Sequence, residues 1–502
     1  MIFTLAFRHL LVRKRRSLFL LFGFSLGVGV MIVLLSVGEA MLAQSRDVSL
    51  VGGGELTILP QGIDIEAMRT GGLSGMFFGI DRARFLTREV LGGDRFKSRV
   101  RAVSPFIEGK LVYLRHGKRV IAVRAGGEIP SRAAAVGSRL DVRAGRWSDS
   151  PADSSYVSPT RQQFYDELDR FHLPTRPDPT WGEWHYFNLV ISPEEWWYIN
   201  FLVGGEVRSG SWGGQLLITR RSRGSRYDRF TAQVPAPEVA FDTARADLTL
   251  SRSTVRQRNG SYHIHAEAKG SAGRVRLDLQ LLPEANRYFP PVDLREASSV
   301  SGYVVPALSG SASGKVCISG KCQDFAGVQA YHDHNWGVWR DVGWEWGSGT
   351  GKRLNLLYGG VYDSSSMSSD NSRPGAPFFF ALVDSLGVKQ VLRFNRVHYE
   401  GKQRATGVLG VTAPKNFTLI AARDDDTVRL SVQVEDALAS EMAARQFRRI
   451  FLQMRGRFTL AGRITGEEVA DTGMGFFETY IDNSRHGRHG YSPSLTVNPA
   501  GR

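Results

Sequence analysis

The stretch YHDHNWGVW, Tyr331 to Trp339, sets two imidazoles, a carboxylate and two indoles side by side. On a strand, His332 and His334 share one face while Tyr331, Asp333 and Asn335 share the other. Three chemistries suit such a set. A metal ion would need a third ligand, and the only comparable pair is His263 and His265 in HIH, so no metal is expected. A hydrogen-bonded network could plug one end of a barrel. An acid–base or ligand-contact site would need placed polar groups beside an apolar cavity, which Trp336, Trp339, Trp344 and Trp346 could line.

The elements that must position these residues are strands. In VRLDLQLLP, Val275, Leu277, Leu279 and Leu281 alternate with Arg276, Asp278 and Gln280, the signature of a half-buried strand. ARADLTLS, SYHIHAEA, FFFALVDS, KQVLRFNRVHYE and FTLAGRIT read likewise, between Gly, Asn and Asp turns. The one long 3.6-period stretch is DALASEMAARQFRRIFLQMR, which predicts a helix over Asp436–Arg455. Many alternating strands favour closed antiparallel barrels or sandwiches, and the span beyond Thr160 suits two of them. In KVCISGKCQ, a two-residue turn at Ser319–Gly320 would set Cys317 opposite Cys322, close enough for a disulfide, which implies an oxidising compartment.

The front end is of another kind. Ser17 to Val37 carries no charge, and a helix of that length spans about 31 Å, the thickness of a bilayer's apolar core. Gly23, Gly27 and Gly29 are tolerated in such a helix. The basic run Arg13, Lys14, Arg15 and Arg16 precedes it, which predicts a cytoplasmic N-terminus and a single-pass protein of the inner membrane with its bulk outside. The apolar run is long for a cleaved signal, and VGEAMLAQ makes a poor cleavage site. The net charge of +15 is mostly scattered arginine. Its clusters at 220–229 and 445–457 suit a solvated face or anionic headgroups, and no nucleic-acid motif accompanies them.

Two family resemblances add to this. MIFTLAFRHLLVRKRRSLFLLFGFSLGVGVMIVLLSVGEAM and Val103–Trp147 resemble the first helix and early extracytoplasmic domain of MacB/FtsX-type ABC transporter permeases, although no second apolar span follows. SPEEWWYINFLVGG (Ser192–Gly205), YHDHNWG after DFAG, and GFFETYID (Gly475–Asp482) resemble the AttH-like lipocalin-domain proteins and the carotenoid hydratases (hydroxyneurosporene synthase, CrtC-like). The second resemblance implies two lipocalin-like (calycin) antiparallel barrels. The expected order is a basic N-terminus at 1–16, a transmembrane helix at 17–38, a small α+β permease-like domain at 39–158, and barrels at 159–338 and 339–502.

In those hydratases water adds to an isoprenoid double bond without metal or organic cofactor, so none is expected here. The resemblance maps catalytic roles onto His334, with Trp336 beside it, and onto Asp363 with Tyr362; Asp333 is a further candidate acid. Tyr362 and Asp363 are adjacent here, whereas the family pattern separates them by one residue. Trp336, His332, Tyr331, Trp196, Trp197, Tyr198 and Trp344 are candidate ligand contacts. Bland readings stand beside these: Asp363 as a turn residue, Glu194 to Trp197 as the start of a barrel strand, and His185 and Tyr186 as packing.

Two functions follow. One is a membrane-anchored protein that binds a lipophilic small molecule and serves an ABC-type exporter, with ATPase and permease subunits as partners. The alternative is a cofactor-independent hydratase or cyclase acting on an isoprenoid or other hydrophobic substrate. A permease subunit proper would need its missing helices from another chain.

Overall fold

The computed structural model describes residues 14–46, 58, 80–91, 93–137, 149–157, 159–174, 176–222, 227–296, 299–339, 342–363, 378–443 and 448–482. The chain forms two compact units, residues 1–91 with 99–157, and residues 92–98 with 158–502.

In the first unit, α1 (Lys14–Arg46) is a helix whose Lys14–Glu39 portion is long and apolar enough to cross a membrane. Its large side chains, Phe19, Phe22 and Leu34 among them, are exposed. Helix α2 (Ile80–Leu91) follows, then β1 (Phe106–His116) and β2 (Arg119–Glu128), which pair antiparallel, then α3 (Pro130–Ala135) and α4 (Pro151–Val157). Residues 138–148 of the permease-like stretch lie outside the described residues.

The second unit opens with α5 (Arg161–Leu168). Thr160 caps it reciprocally with Gln163, the hydroxyl accepting from the Gln163 N–H and the amide oxygen accepting from the Thr160 N–H. Strands β3 (Trp181–Ser192), β4 (Glu195–Gly205), β5 (Trp212–Ser222) and β6 (Tyr227–Pro235) come next. The short β7 (Val239–Phe241), β8 (Asp247–Leu250) and β9 (Ser253–Arg258) lead to β10 (Ser261–Gly270) and β11 (Gly273–Pro283). After β12 (Phe289–Glu296) come β13 (Ser299–Ile318) and β14 (Lys321–Val338). Strands β3, β4, β5, β6, β10, β11, β13 and β14 close into an eight-stranded antiparallel barrel, with β14 pairing back to β3.

A second such barrel uses β15 (Val342–Gly351), β16 (Asn355–Asp363), β17 (Phe378–Asp384) and β18 (Gly387–Phe394). Beyond the short β19 (Val397–Glu400), β20 (Gln403–Arg404) and β21 (Thr412–Ala413), it continues through β22 (Asn416–Arg423), β23 (Asp426–Ala443), β24 (Arg448–Ile464) and β25 (Glu467–Asp482). The ring closes where β18 meets β22 and β25 meets β15.

The helix expected over Asp436–Arg455 is not formed. The described residues of that stretch, 436–443 and 448–455, are the end of β23 and the start of β24, paired Ala437 with Met454, Ala439 with Leu452 and Glu441 with Ile450. Ala437, Ala439, Ile450, Leu452 and Met454 are buried, so an alternation masked by small alanines wins over weak helix propensity once neighbouring strands satisfy the backbone. The cysteine hairpin forms as expected: Cys317 and Cys322 face each other as a disulfide across a turn whose Ser319 and Gly320 both have positive φ.

Three apolar clusters follow from this arrangement. One fills the first barrel, a second fills the second barrel, and a third joins the two. The third contains Tyr186, Trp196, Tyr198, Tyr303 and Tyr331 of the first barrel with Leu357, Ala381 and Val383 of the second.

Candidate functional site

Strand β14 presents a different chemistry on each face. Its inward residues His332, His334 and Trp336 alternate with Tyr331, Asp333 and Asn335, which point toward the second barrel. Register with β3 sets His334 opposite His185, Trp336 opposite Glu183 and Asp333 opposite Tyr186. Direct cross-strand neighbours lie about 5 Å apart at Cβ, and the His185 and His334 rings are 4.1 Å apart between centroids.

Inside the barrel these groups meet Asp169, which the end of α5 delivers. Its N–H donates to the Tyr165 carbonyl as the C-cap, and Tyr165 and Leu168 bury the helix against the strands. Gln162 ties the same helix to Gln257 of β9. Asp169 Oδ1 lies 2.7 Å from His334 Nδ1, and Oδ2 lies 3.0 Å from His332 Nε2 and accepts from the Tyr262 hydroxyl at 2.8 Å. Glu183 Oε1 is 2.8 Å from His334 Nε2 and accepts from the His172 backbone N–H at 2.6 Å. Trp336 stacks on His172 at 3.6 Å over Gly302, where a Cβ would strike the indole.

Charge is settled by these partners. Burial works against ionising Asp169, yet the imidazoles of His332, His185 and His334 hold its carboxyl well below the ordinary range. Burial opposes charge on His334 too, but Asp169 and Glu183 on either side raise it to about 9, making it an imidazolium. His185 is pushed well below its ordinary value by burial and by His334. Neither His185 ring nitrogen makes a hydrogen bond among the described residues. Asp169, His185 and His334 bring ligand-type atoms within 4.8 Å of one another, as do His172, Glu183 and His334.

On the outer face, Asp333 accepts from the Tyr331 hydroxyl at 2.7 Å and from Asn335 Nδ2 at 2.7 Å. Trp346 Nε1 donates to the Tyr331 hydroxyl at 3.2 Å. Burial, only partly offset by the Tyr331 hydroxyl and reinforced by the neighbouring Glu478 carboxyl, raises the Asp333 carboxyl well above the ordinary range. Glu478 is raised by burial as well; it is half-buried by surface yet enclosed by Gln453, Trp344 and Tyr186, with the Trp344 indole N–H donating to it at 3.2 Å. The layer reaches the surface through half-buried Trp184, Trp339, Trp344 and Phe451, whose rings contact one another.

The residues proposed from sequence therefore fall into separate places. His332, His334, Trp336 and Trp197 are inside the first barrel; Tyr331, Asp333, Trp196, Tyr198 and Trp344 lie between the barrels. Tyr362 and Asp363 end β16 opposite Gly343 and Val342, and their side chains and the loop 364–377 lie outside the described residues. His263 and His265 are not the missing third ligand: they stand on the outer face of β10, with His265 Nδ1 2.6 Å from Asp278. His185, read as packing, is a member of the buried cluster, and Asp169, Glu183, Tyr262 and Glu478 were not singled out. Only for Glu183 and His185 was a signal available, since WGEWHYF places both on one strand face.

No protein-family model matches the chain, and a search of curated protein sequences finds no match. Nothing in the comparisons supports the permease-like resemblance of the N-terminal part. Among solved structures, the chain is similar to a protein described as AttH from Nitrosomonas europaea, at 15% identity over 64% of this chain and 95% of that one, with a TM-score of 0.44. It is also similar to CghA, at 11% identity over 64% and 95% with a TM-score of 0.42. A third similar structure is kievitone hydratase from Nectria haematococca, at 10% identity over 62% and 94% with a TM-score of 0.41.

Proposed function

We propose that the layer between the barrels is an acid-catalytic site for a hydrophobic alkene, carrying out a hydration or cyclisation of an isoprenoid-like chain. The observation that carries this reading is the pair of enclosed carboxyl groups, Asp333 and Glu478, set among Tyr186, Tyr331, Trp344 and Trp346. An alkene is a weak base, so its protonation needs a neutral acid held away from water, and burial keeps a carboxyl neutral. Asp333 would give its proton to the less substituted alkene carbon, the π pair forming the C–H bond and leaving a tertiary carbocation. Aromatic faces stabilise that cation. Water then adds, and the oxonium returns a proton to a carboxylate, so alkene and water become a tertiary alcohol.

The test is turnover of an acyclic terminal-isoprenoid polyene by the detergent-solubilised protein. Asp333→Asn and Glu478→Gln are expected to lower the rate by about 10²-fold or more, the usual contribution of a placed acid or base. Unchanged product formation in both would sink the assignment. Loss in Asp363→Asn alone would move the acid to the motif-mapped position.

The half-buried indoles of Trp184, Trp339 and Trp344 favour a second reading, in which the same layer holds an apolar molecule without transforming it. A polyene that co-purifies unaltered would select it. For α1 we propose an uncleaved inner-membrane anchor with the N-terminus cytoplasmic and both barrels on the other side, which protease protection of intact cells and spheroplasts checks.

A further inference from the structure

We propose that Asp169, His185, His332 and His334 form a closed binding site for one divalent first-row transition-metal ion, which fastens α5 into the first barrel. This goes beyond the catalytic reading and uses the opposite face of β14.

Three observations converge on it. All four side chains are fully buried, and two imidazoles with a carboxylate already bring ligand atoms within 4.8 Å of one another. An ion with bonds of about 2.0–2.2 Å to nitrogen and oxygen sits between atoms drawn modestly closer than that. Second, His185 is a wholly enclosed imidazole whose two nitrogens have no hydrogen-bond partner among the described residues; its Nδ1 is 3.8 Å from Asp169 Oδ1, and its ring lies against His334. A buried polar group without a partner costs about 1–3 kcal/mol, and a metal bond removes that cost.

Third, the outer contacts are those that orient metal ligands. The Tyr186 carbonyl can only accept, so the His332 Nδ1 at 3.0 Å carries a proton, which leaves Nε2 as the nitrogen turned toward Asp169. His334 reaches Asp169 through Nδ1 and Glu183 through Nε2, so that with an ion on Nδ1 the pair becomes the carboxylate–histidine–metal arrangement. The Tyr262 hydroxyl holds Asp169. Three clustered donors, with His332 on the other oxygen of Asp169 as the fourth and no exposed surface at any of them, describe a structural site rather than one with an open position.

Asp169 is the ligand that does not come from a strand. An ion there joins the end of α5 to β3 and β14, and so fixes the strand that carries Asp333 on its other side.

The experiment uses the full chain in detergent, stripped with chelator and reloaded with zinc or cobalt(II). The expected result is about one zinc per chain by mass spectrometry, a saturable cobalt(II) ligand-field band, and a higher Tm for the loaded protein. His185→Gln and Asp169→Asn should each lose the ion, while the His263→Gln, His265→Gln double variant should keep it. Wild-type protein that takes up no zinc and shows no saturable cobalt band overturns the proposal, whatever the variants do. Retention in both His185→Gln and Asp169→Asn, or loss in the outer-face double variant, overturns it too.

Discussion

Asp169 and Asp333 lie on opposite sides of one strand, both almost fully buried, yet they are held in opposite states. Asp169 faces three imidazoles, which push its carboxyl toward the ionised form; Asp333 faces a phenol, an amide and a second carboxyl group, and burial pushes it toward the protonated form. Burial alone penalises the charge of both. The difference therefore comes from partners, and the partners come from register: β3 brings His185 to the inner face, while the second barrel brings Glu478 to the outer one.

An Asp-to-Asn change at each position is the sharpest way to break the comparison, because asparagine mimics the protonated acid. Asp169→Asn leaves the His334 imidazolium facing an amide, and chelator-treated protein should lose about 3–5 kcal/mol of stability in denaturant unfolding, as for a broken buried ion pair. Asp333→Asn should change stability by less than about 1 kcal/mol, since a neutral hydrogen-bonding group replaces another. Equal losses at the two sites would erase the distinction.

A milder contrast lies along β25. Asp471 accepts backbone N–H groups of Lys352, Arg353, Leu354 and Thr472; burial opposes its charge, but these donors hold its carboxyl below the ordinary range. Glu478, seven residues on, is raised by burial. Asp471→Ala should cost about 1–3 kcal/mol. A depressed carboxyl stabilises above its unfolded value, so this cost should be full at neutral pH and vanish as pH falls through the depressed pKa. A raised one contributes in the opposite sense: the Glu478 contribution is complete below the unfolded value and is lost as pH rises through the folded one. Glu478→Gln should therefore gain on wild type with rising pH, and parallel Tm-versus-pH curves for the two variants would refute the assignment.

The smallest effect separates the hairpin tip from both sites. Reducing Cys317–Cys322 closes no long loop, so its loss should cost at most roughly 2 kcal/mol and leave polyene turnover and zinc uptake unaltered.

Much of the fold was legible because strand alternation is a local property. The strands around Val275, Tyr262 and Phe458 and the Cys317–Cys322 turn could be read from a few residues each, as could the two faces of Tyr331–Trp339. Asp436–Arg455 was misread because alanine at 437 and 439 conceals which side is buried. The same alternation separates His334 from the further candidate acid Asp333, because neighbours on a strand serve different compartments, while the motif-mapped partner Asp363 has its side chain outside the described residues.

The sequence by itself determined the apolar length of α1, the strand-rich body, and the fact that His332 and His334 share a face without Asp333. Tertiary structure alone decided what those faces meet, because Asp169 lies 163 and 165 residues from the two histidines it contacts, and Glu478 is brought up by a second closed barrel. No local pattern encodes such separations; they are fixed only when ring closure sets the register of every strand at once.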